Sequence, residues 1–112
     1  MSMIDQSNHE ISVQELKAKF DNGDVFELID VREADEYELC NIQPSTLVPL
    51  GTISSKLDIL DKNKEYVLMC RSGGRSWHAT QQFLAHGISN VRNLVGGINQ
   101  WALEIDTSIS PY

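Results

Sequence analysis

The sequence contains few residues that could form disulfides or bind metal ions. Its two cysteines, Cys40 and Cys70, do not form a CxxC pair, and two isolated thiols cannot make the disulfide framework of a small secreted domain. The three histidines show no pairing with an acidic residue at the spacing of a metal site. We therefore expect neither a metal nor another cofactor.

Long apolar segments and a basic surface are also missing. No run of about 18 apolar residues is present, and residues 1–10 are polar, unlike a signal peptide. The net charge is −7, and residues 1–66 hold 14 of the 16 acids, whereas residues 67–112 hold 2 acids and 3 bases. These features argue against a membrane span and against nucleic-acid binding, which needs a basic face. The expected location is the cytoplasm.

Helix and strand patterns alternate along the 112 residues, a length typical of one domain. Helices are predicted at Val13–Phe20, Glu33–Leu39, Thr52–Leu60, Arg75–His86 and Ile98–Ile105. Strands are predicted at Val25–Val31, Thr46–Leu50, Tyr66–Met69 and Asn90–Val95. This alternation indicates an α/β fold with a largely parallel sheet, in which ligands bind at the carboxyl ends of the strands. Residues 1–9 are predicted to be a loose arm and residues 10–112 the domain.

The segment Cys70–Ser76, with the sequence CRSGGRS, lies between a predicted strand and the start of a predicted helix. Gly73 and Gly74 allow positive φ angles, so that successive N–H groups can turn toward the thiol. Arg71, Arg75 and the helix N-terminus add positive charge. Because only the thiolate is a strong nucleophile, these features favour a reactive cysteine that attracts a small anion. The alternative is the buried, inert cysteine that commonly follows an apolar strand.

The spacing between the cysteine and the arginine separates two kinds of cysteine chemistry. In protein tyrosine phosphatases the arginine lies one position further from the cysteine, and the loop wraps around a phosphate. Here that position is Ser76, and Arg75 lies five positions after Cys70. The tighter loop favours a persulfide on the cysteine. A cysteine-dependent phosphatase or arsenate reductase remains the alternative enzyme.

Three segments resemble the signatures of the rhodanese family, in the family's order. They are Asp30–Glu33 (DVRE) with Glu36–Tyr37, the loop Cys70–Ser76, and Leu94–Trp101 (LVGGINQW). The two glycines of the last segment are expected to form a tight turn between a strand and a helix. The resemblance covers nearly all of the chain. It implies a single rhodanese-like domain, with a central, mostly parallel five-stranded sheet flanked by helices on both faces.

The resemblance also implies a thiosulfate sulfurtransferase-type enzyme that works through a persulfide on Cys70. The cysteine would take sulfane sulfur from thiosulfate or a related small anion. It would pass the sulfur to cyanide in an assay, or to a thiol or a sulfur-carrier protein in the cell, as in a sulfur relay. The residues that would bind the donor are Arg71, Ser72, Gly73, Gly74, Arg75 and Ser76. A non-catalytic rhodanese-like binding module is a further alternative.

Two residues of the first signature have two interpretations, and two residues after it depart from the family pattern. Asp30 and Arg32 end a buried strand and are candidates to support the site, but a structural role is favoured, with Arg32 paired to Glu36. Cys40 stands where the family usually has glycine, and Asn41 where it has histidine. Cys40 is either a second thiol that resolves the persulfide or, as we favour, a structural thiol. The tail Glu104–Tyr112 is similar to rhodanese domains that are fused to enzymes activating sulfur carriers.

Overall fold

The computed structural model describes residues 5–112, in which helices cover a five-stranded sheet. The strands are β1 (Glu10–Ile11), β2 (Glu27–Asp30), β3 (Thr46–Leu47), β4 (Tyr66–Met69) and β5 (Val91–Leu94). The helices are α1 (Val13–Asp21), α2 (Ala34–Leu39), α3 (Ile53–Lys56), α4 (Gly74–Ala85) and α5 (Gly97–Glu104). All strand pairs are parallel, in the order β1-β5-β4-β2-β3. The α/β class and the parallel five-stranded sheet are confirmed.

Side chains of β4 alternate between two apolar cores, one on each face of the sheet. Tyr66 and Leu68 belong to the core on the side of α3 and α4, whereas Val67 and Met69 belong to the core on the side of α1 and α5. Helices on both faces of the sheet are therefore confirmed. Because β4 is the central strand, Cys70 follows it at the middle of the carboxyl edge, between the ends of β2 and β5.

Helix α1 begins at the capping box that the sequence predicts. The Ser12 hydroxyl accepts from the Glu15 N–H at 3.1 Å, and the Glu15 carboxylate accepts from the Ser12 N–H at 3.0 Å. This reciprocal pair satisfies two donors near the start of the helix, a contribution of about 1 kcal/mol for a typical cap.

The N-terminal segment differs from the predicted loose arm. Gln6–His9 form a 3-10 turn, in which the Asp5 side chain accepts from the backbone N–H of Ser7. The Nδ1 of His9 donates to the carbonyl of Val91 at 2.9 Å, and β1 follows directly. The segment is thus held by contacts with β5, which lies about 80 residues away in sequence, and a local sequence pattern cannot predict such contacts. Residues 1–4 of the predicted arm lie outside the described residues.

The predicted helix Thr52–Leu60 is also shorter in the structure, where only α3 is α-helical. The hydroxyl of Ser55 donates to the carbonyl of Thr52 at 2.8 Å, and such bonds compete with helical hydrogen bonding. Ile53 and Leu57 are nevertheless buried, as the predicted apolar face requires. The other predicted elements are present, with ends that differ by a few residues.

Candidate active site

The segment Cys70–Ser76, here called the cysteine loop, curls around the sulfur of its first residue. Gly73 is the N-cap of α4 and has a left-handed φ of +115°. Its N–H points at the Cys70 Sγ with an N···S distance of 3.1 Å, and the Ser76 N–H approaches the same atom at 3.4 Å. Gly74, by contrast, is the first residue of α4 and is not left-handed. The prediction of positive φ is therefore right for Gly73 and wrong for Gly74.

Burial and hydrogen bonding act in opposite directions on the Cys70 thiol. Cys70 is 1% exposed, and burial raises the pKa of its thiol. Hydrogen bonds from the Ser76 hydroxyl and from the backbone N–H groups of Ser76, Gly73 and Ser72 lower that pKa, and the net shift is downward. The loop thus favours the thiolate, which is the nucleophilic form.

A buried amide on β5, Asn93, fixes the shape of the cysteine loop. Its Nδ2 donates to the Gly73 carbonyl at 3.2 Å, and its Oδ1 accepts from the Ser76 hydroxyl at 2.5 Å. The same hydroxyl lies 3.3 Å from the Cys70 Sγ, so its single hydrogen has more than one acceptor. Asn93 is not among the residues predicted to form the site, although an amide at a buried position of a predicted strand indicates an internal polar contact.

The start of α5 packs against the backbone of the cysteine loop. The N–H of Ile98 donates to the Cys70 carbonyl at 2.9 Å, and the N–H of Asn99 donates to the Arg71 carbonyl at 3.1 Å. Gly97 lies so close that a Cβ there would be 2.5 Å from the oxygens of both carbonyls. Gly97 therefore positions the loop, a role beyond the tight turn that the sequence predicts.

Helix α2 supplies a carboxylate to the cysteine loop. Glu36 accepts from both terminal nitrogens of Arg75, with N···O distances of 2.6 and 2.9 Å. The guanidinium of Arg75 holds the pKa of the Glu36 carboxyl well below its usual range. The sequence predicts Arg75 as a residue that binds an anionic donor, whereas in the structure Glu36 fills its guanidinium fork.

Tyr112 connects the two arginines of the cysteine loop. Its ring centroid lies 4.8 Å from the guanidinium carbon of Arg71. Its hydroxyl donates to the Glu36 carboxylate at 2.6 Å and accepts from Nη1 of Arg32 at 2.9 Å. Burial and the bond to Glu36 raise the pKa of Tyr112, so the hydroxyl keeps its proton. Tyr112 is not among the residues predicted to form the site. The one signal for it is the similarity of the tail Glu104–Tyr112 to rhodanese domains that are fused to enzymes activating sulfur carriers.

Asp30 and Arg32 form a buried ion pair next to Tyr112. Both side chains are 0% exposed, and Nη2 of Arg32 lies 2.7 Å from a carboxylate oxygen of Asp30. Arg32 also donates to the Cys40 carbonyl at 2.7 Å and to the backbone carbonyl of Glu36 at 3.3 Å. Its acidic partner is thus Asp30, and the predicted pairing with the Glu36 carboxylate is wrong. These contacts favour the structural interpretation of both residues.

The second cysteine, Cys40, has a different environment from Cys70. Both are free thiols, but Cys40 is the C-cap of α2, and its Sγ lies 3.9 Å from Nη1 of Arg32. The hypothesis that it resolves a persulfide stays a prediction.

Within residues 5–112, no three metal-ligating side chains cluster, and no helix is long and apolar enough to cross a membrane.

Comparisons with known proteins identify related domains. A family model described as a rhodanese-like domain matches residues 12–104. The Bacillus subtilis protein YtwF, which carries the name of a sulfurtransferase, is 39% identical over 92 residues, covering 82% of this chain and 88% of YtwF. Bacillus subtilis YrkF, which carries the name of a sulfur carrier protein, is 35% identical over 92 residues, covering 82% of this chain and 50% of YrkF.

A solved structure shares the same fold. The crystal structure of a rhodanese-like domain protein from Staphylococcus aureus matches with a TM-score of 0.78 and 31% sequence identity. The match covers 83% of this chain and 90% of that chain. The chain spans half or less of the length of several curated relatives that it matches, YrkF included.

Proposed function

The chain belongs to the rhodanese-like domain family, and on that premise we propose that it is a sulfurtransferase whose nucleophile is Cys70. The observation that carries the proposal is the convergence of two backbone N–H groups and the Ser76 hydroxyl on a thiol of lowered pKa. The name of YtwF, which is 39% identical, supports sulfur transfer as the reaction class.

In the first half-reaction, the Cys70 thiolate attacks the outer sulfur of thiosulfate or of a related sulfane donor. A new S–S bond forms to Cys70 and the S–S bond of the donor breaks. The rest of the donor, which is sulfite when thiosulfate reacts, leaves with the electron pair. The persulfide carries its negative charge on the outer sulfur, and inward-facing N–H groups of the cysteine loop stabilise such a charge. Arg71, Ser72 and Gly74 are exposed on the loop, so an arriving donor meets them first.

In the second half-reaction, a thiophilic acceptor attacks the outer sulfur of the persulfide, and the Cys70 thiolate leaves with the electron pair. Cyanide serves as acceptor in an assay and yields thiocyanate. We propose a thiol or a sulfur-carrier protein as the acceptor in the cell, an assignment that the name of YrkF supports. Because the donor product leaves before the acceptor reacts, ping-pong kinetics are expected.

Intact mass measurement after incubation with thiosulfate tests this proposal. The wild-type protein should gain one sulfur atom, and a reductant should remove it. Cys70→Ser should gain none, whereas Cys40→Ser, the matched control, should gain the atom and turn over normally. An adduct that persists in Cys70→Ser, or no adduct on the wild type, would overturn the proposal. Hydrolysis of para-nitrophenyl phosphate that depends on Cys70 would favour the phosphatase instead.

A further inference from the structure

The two arginines of the cysteine loop have different electrostatic partners. Arg75 forms a bidentate ion pair with Glu36, and the two side chains are only 37% and 18% exposed. Arg71 stacks on the uncharged ring of Tyr112 and has no acidic partner within salt-bridge distance in residues 5–112. An approaching anion therefore meets one uncompensated guanidinium instead of two.

The remaining charges around the loop leave no excess of positive charge. Arg32 is neutralised by Asp30 in a fully buried pair. The Cys70 thiolate adds one negative charge at the point that the donor must reach, and this charge balances Arg71. Glu36 places a further carboxylate beside Arg75, 2.6 Å from its Nη1. The formal charges at the site then sum to zero, so the second negative charge of a dianion gains no attraction that would offset the cost of removing it from water.

We propose that Glu36 is a positioning residue that sets the charge of the sulfur donor. By neutralising Arg75, it makes the site selective for singly charged sulfane donors, such as thiosulfonates and organic persulfides, over the thiosulfate dianion. Glu36 acts through Arg75, because it occupies the guanidinium fork that would otherwise bind two oxygens of an anion. This inference rests on the proposed sulfurtransferase function and names the donor class of the same site.

The substitution Glu36→Gln tests the inference, because the amide keeps the shape of the side chain and removes its charge. Glu38→Gln, which changes an exposed acid on the same helix, is the matched control. The two donors are thiosulfate, a dianion, and benzenethiosulfonate, a monoanion. Each gives its outer sulfur to the Cys70 thiolate, its S–S bond breaks, and sulfite or benzenesulfinate leaves with the electron pair. With cyanide as acceptor, kcat/KM for each donor reports the first half-reaction of the ping-pong scheme.

Glu36→Gln should shift the ratio of the two kcat/KM values toward thiosulfate. The expected shift is roughly sixfold, the effect of one unit charge on another about 8 Å away at an effective dielectric constant of about 40. Glu38→Gln should leave the ratio within about twofold of the wild-type ratio, because Glu38 forms no ion pair with the loop and water and salt screen its exposed charge. If Glu36 merely supported the fold, Glu36→Gln would lower both values equally, and an unchanged ratio would overturn the inference. Failure of both donors to form a persulfide on the wild type would instead refute the proposed function.

The salt dependence of the wild-type enzyme is a second measurement that needs no variant. With Arg75 neutralised, the site that contains the thiolate has no net positive charge for salt to screen. The kcat/KM for thiosulfate should therefore not fall as ionic strength rises. A steep fall for thiosulfate, with a shallower fall for benzenethiosulfonate, would show an unpaired Arg75 and overturn the inference even if Glu36→Gln failed to fold.

Discussion

Replacing Gly97 by alanine should both destabilise the fold and displace the cysteine loop. The added Cβ would lie 2.5 Å from the carbonyl oxygens of Cys70 and Arg71, and φ at this position is +60°. The left-handed backbone costs about 1–2 kcal/mol for alanine, and overpacking costs roughly 1–3 kcal/mol. The two hydrogen bonds that α5 donates to these carbonyls also weaken, and lose a part of the roughly 1 kcal/mol that each contributes. We expect Gly97→Ala to lose about 4 kcal/mol of unfolding free energy.

Gly23→Ala is the control that separates backbone strain from the steric clash. Gly23 also has a positive φ, +69°, but nothing lies within 4 Å of the position that a Cβ would occupy. This variant should lose only about 1 kcal/mol, the left-handed backbone cost. In urea denaturation, the two variants should then differ by about 3 kcal/mol. The kcat/KM for sulfur transfer from thiosulfate to cyanide should fall about a hundredfold in Gly97→Ala alone, because a shift of about 1 Å misplaces the thiol.

Two results would refute this reasoning about Gly97. Equal stability of Gly97→Ala and Gly23→Ala would mean that the clash is relieved without cost. Normal turnover by a strongly destabilised Gly97→Ala protein would mean that α5 moves away while the cysteine loop keeps its shape. In either case, the close contact between α5 and the loop would not be what positions Cys70.

Three further predictions concern the thiol and the buried ion pair. In a Cys40→Ser background, Ser76→Ala should raise the pKa of the Cys70 thiol, because the hydrogen bond from the Ser76 hydroxyl lowers it. The pH profile of alkylation should shift to higher pH, and an unchanged profile would contradict this. Because the folded pKa is lowered, the thiolate stabilises the fold fully above about pH 8.5 and loses this effect as the pH falls through the folded pKa. In urea denaturation, the wild type should therefore be more stable than Cys70→Ala above about pH 8.5, and this advantage should shrink as the pH is lowered through the folded pKa. An advantage that does not change with pH would argue against a lowered pKa. Arg32→Met should lose about 3–5 kcal/mol in the same assay, because it leaves the buried Asp30 carboxylate unpaired, and wild-type stability would count against this.

The frame of the fold was predictable because local patterns encode it. A continuous apolar run indicates a strand buried on both faces, and Tyr66–Met69 is such a strand, with every residue at most 2% exposed. Ser12 and Glu15 mark the start of α1 by themselves. Strand β1 escaped prediction because its two residues are too few to show a period of two, and only its pairing with β5 makes it a strand.

Within the site, the one contact that was predicted correctly joins residues close in sequence, whereas the local pairing of Arg32 with the Glu36 carboxylate was wrong and the contacts between distant residues were missed. The bond from the Gly73 N–H to the Cys70 sulfur spans three residues, so the order of thiol, glycine and helix start is enough to predict it. The bonds from Arg75 to Glu36 span 39 residues, and that from Tyr112 to Glu36 spans 76. Such contacts depend on how α2 and the tail pack against the loop, which the sequence motifs do not describe.

Charge shows most clearly why an anion site has to be judged in three dimensions. Along the chain, Arg71 and Arg75 lie in residues 67–112, which hold 3 bases and 2 acids, and this balance suggests a locally positive site for the donor. The fold, however, brings Glu36, which belongs to the acidic segment 1–66, into an ion pair with Arg75, whereas Arg71 stacks on the neutral ring of Tyr112. The effective positive charge beside the thiolate is therefore that of one arginine. We therefore expect donor selectivity in this protein to depend on the acid that α2 delivers to the loop as much as on the residues of the loop itself.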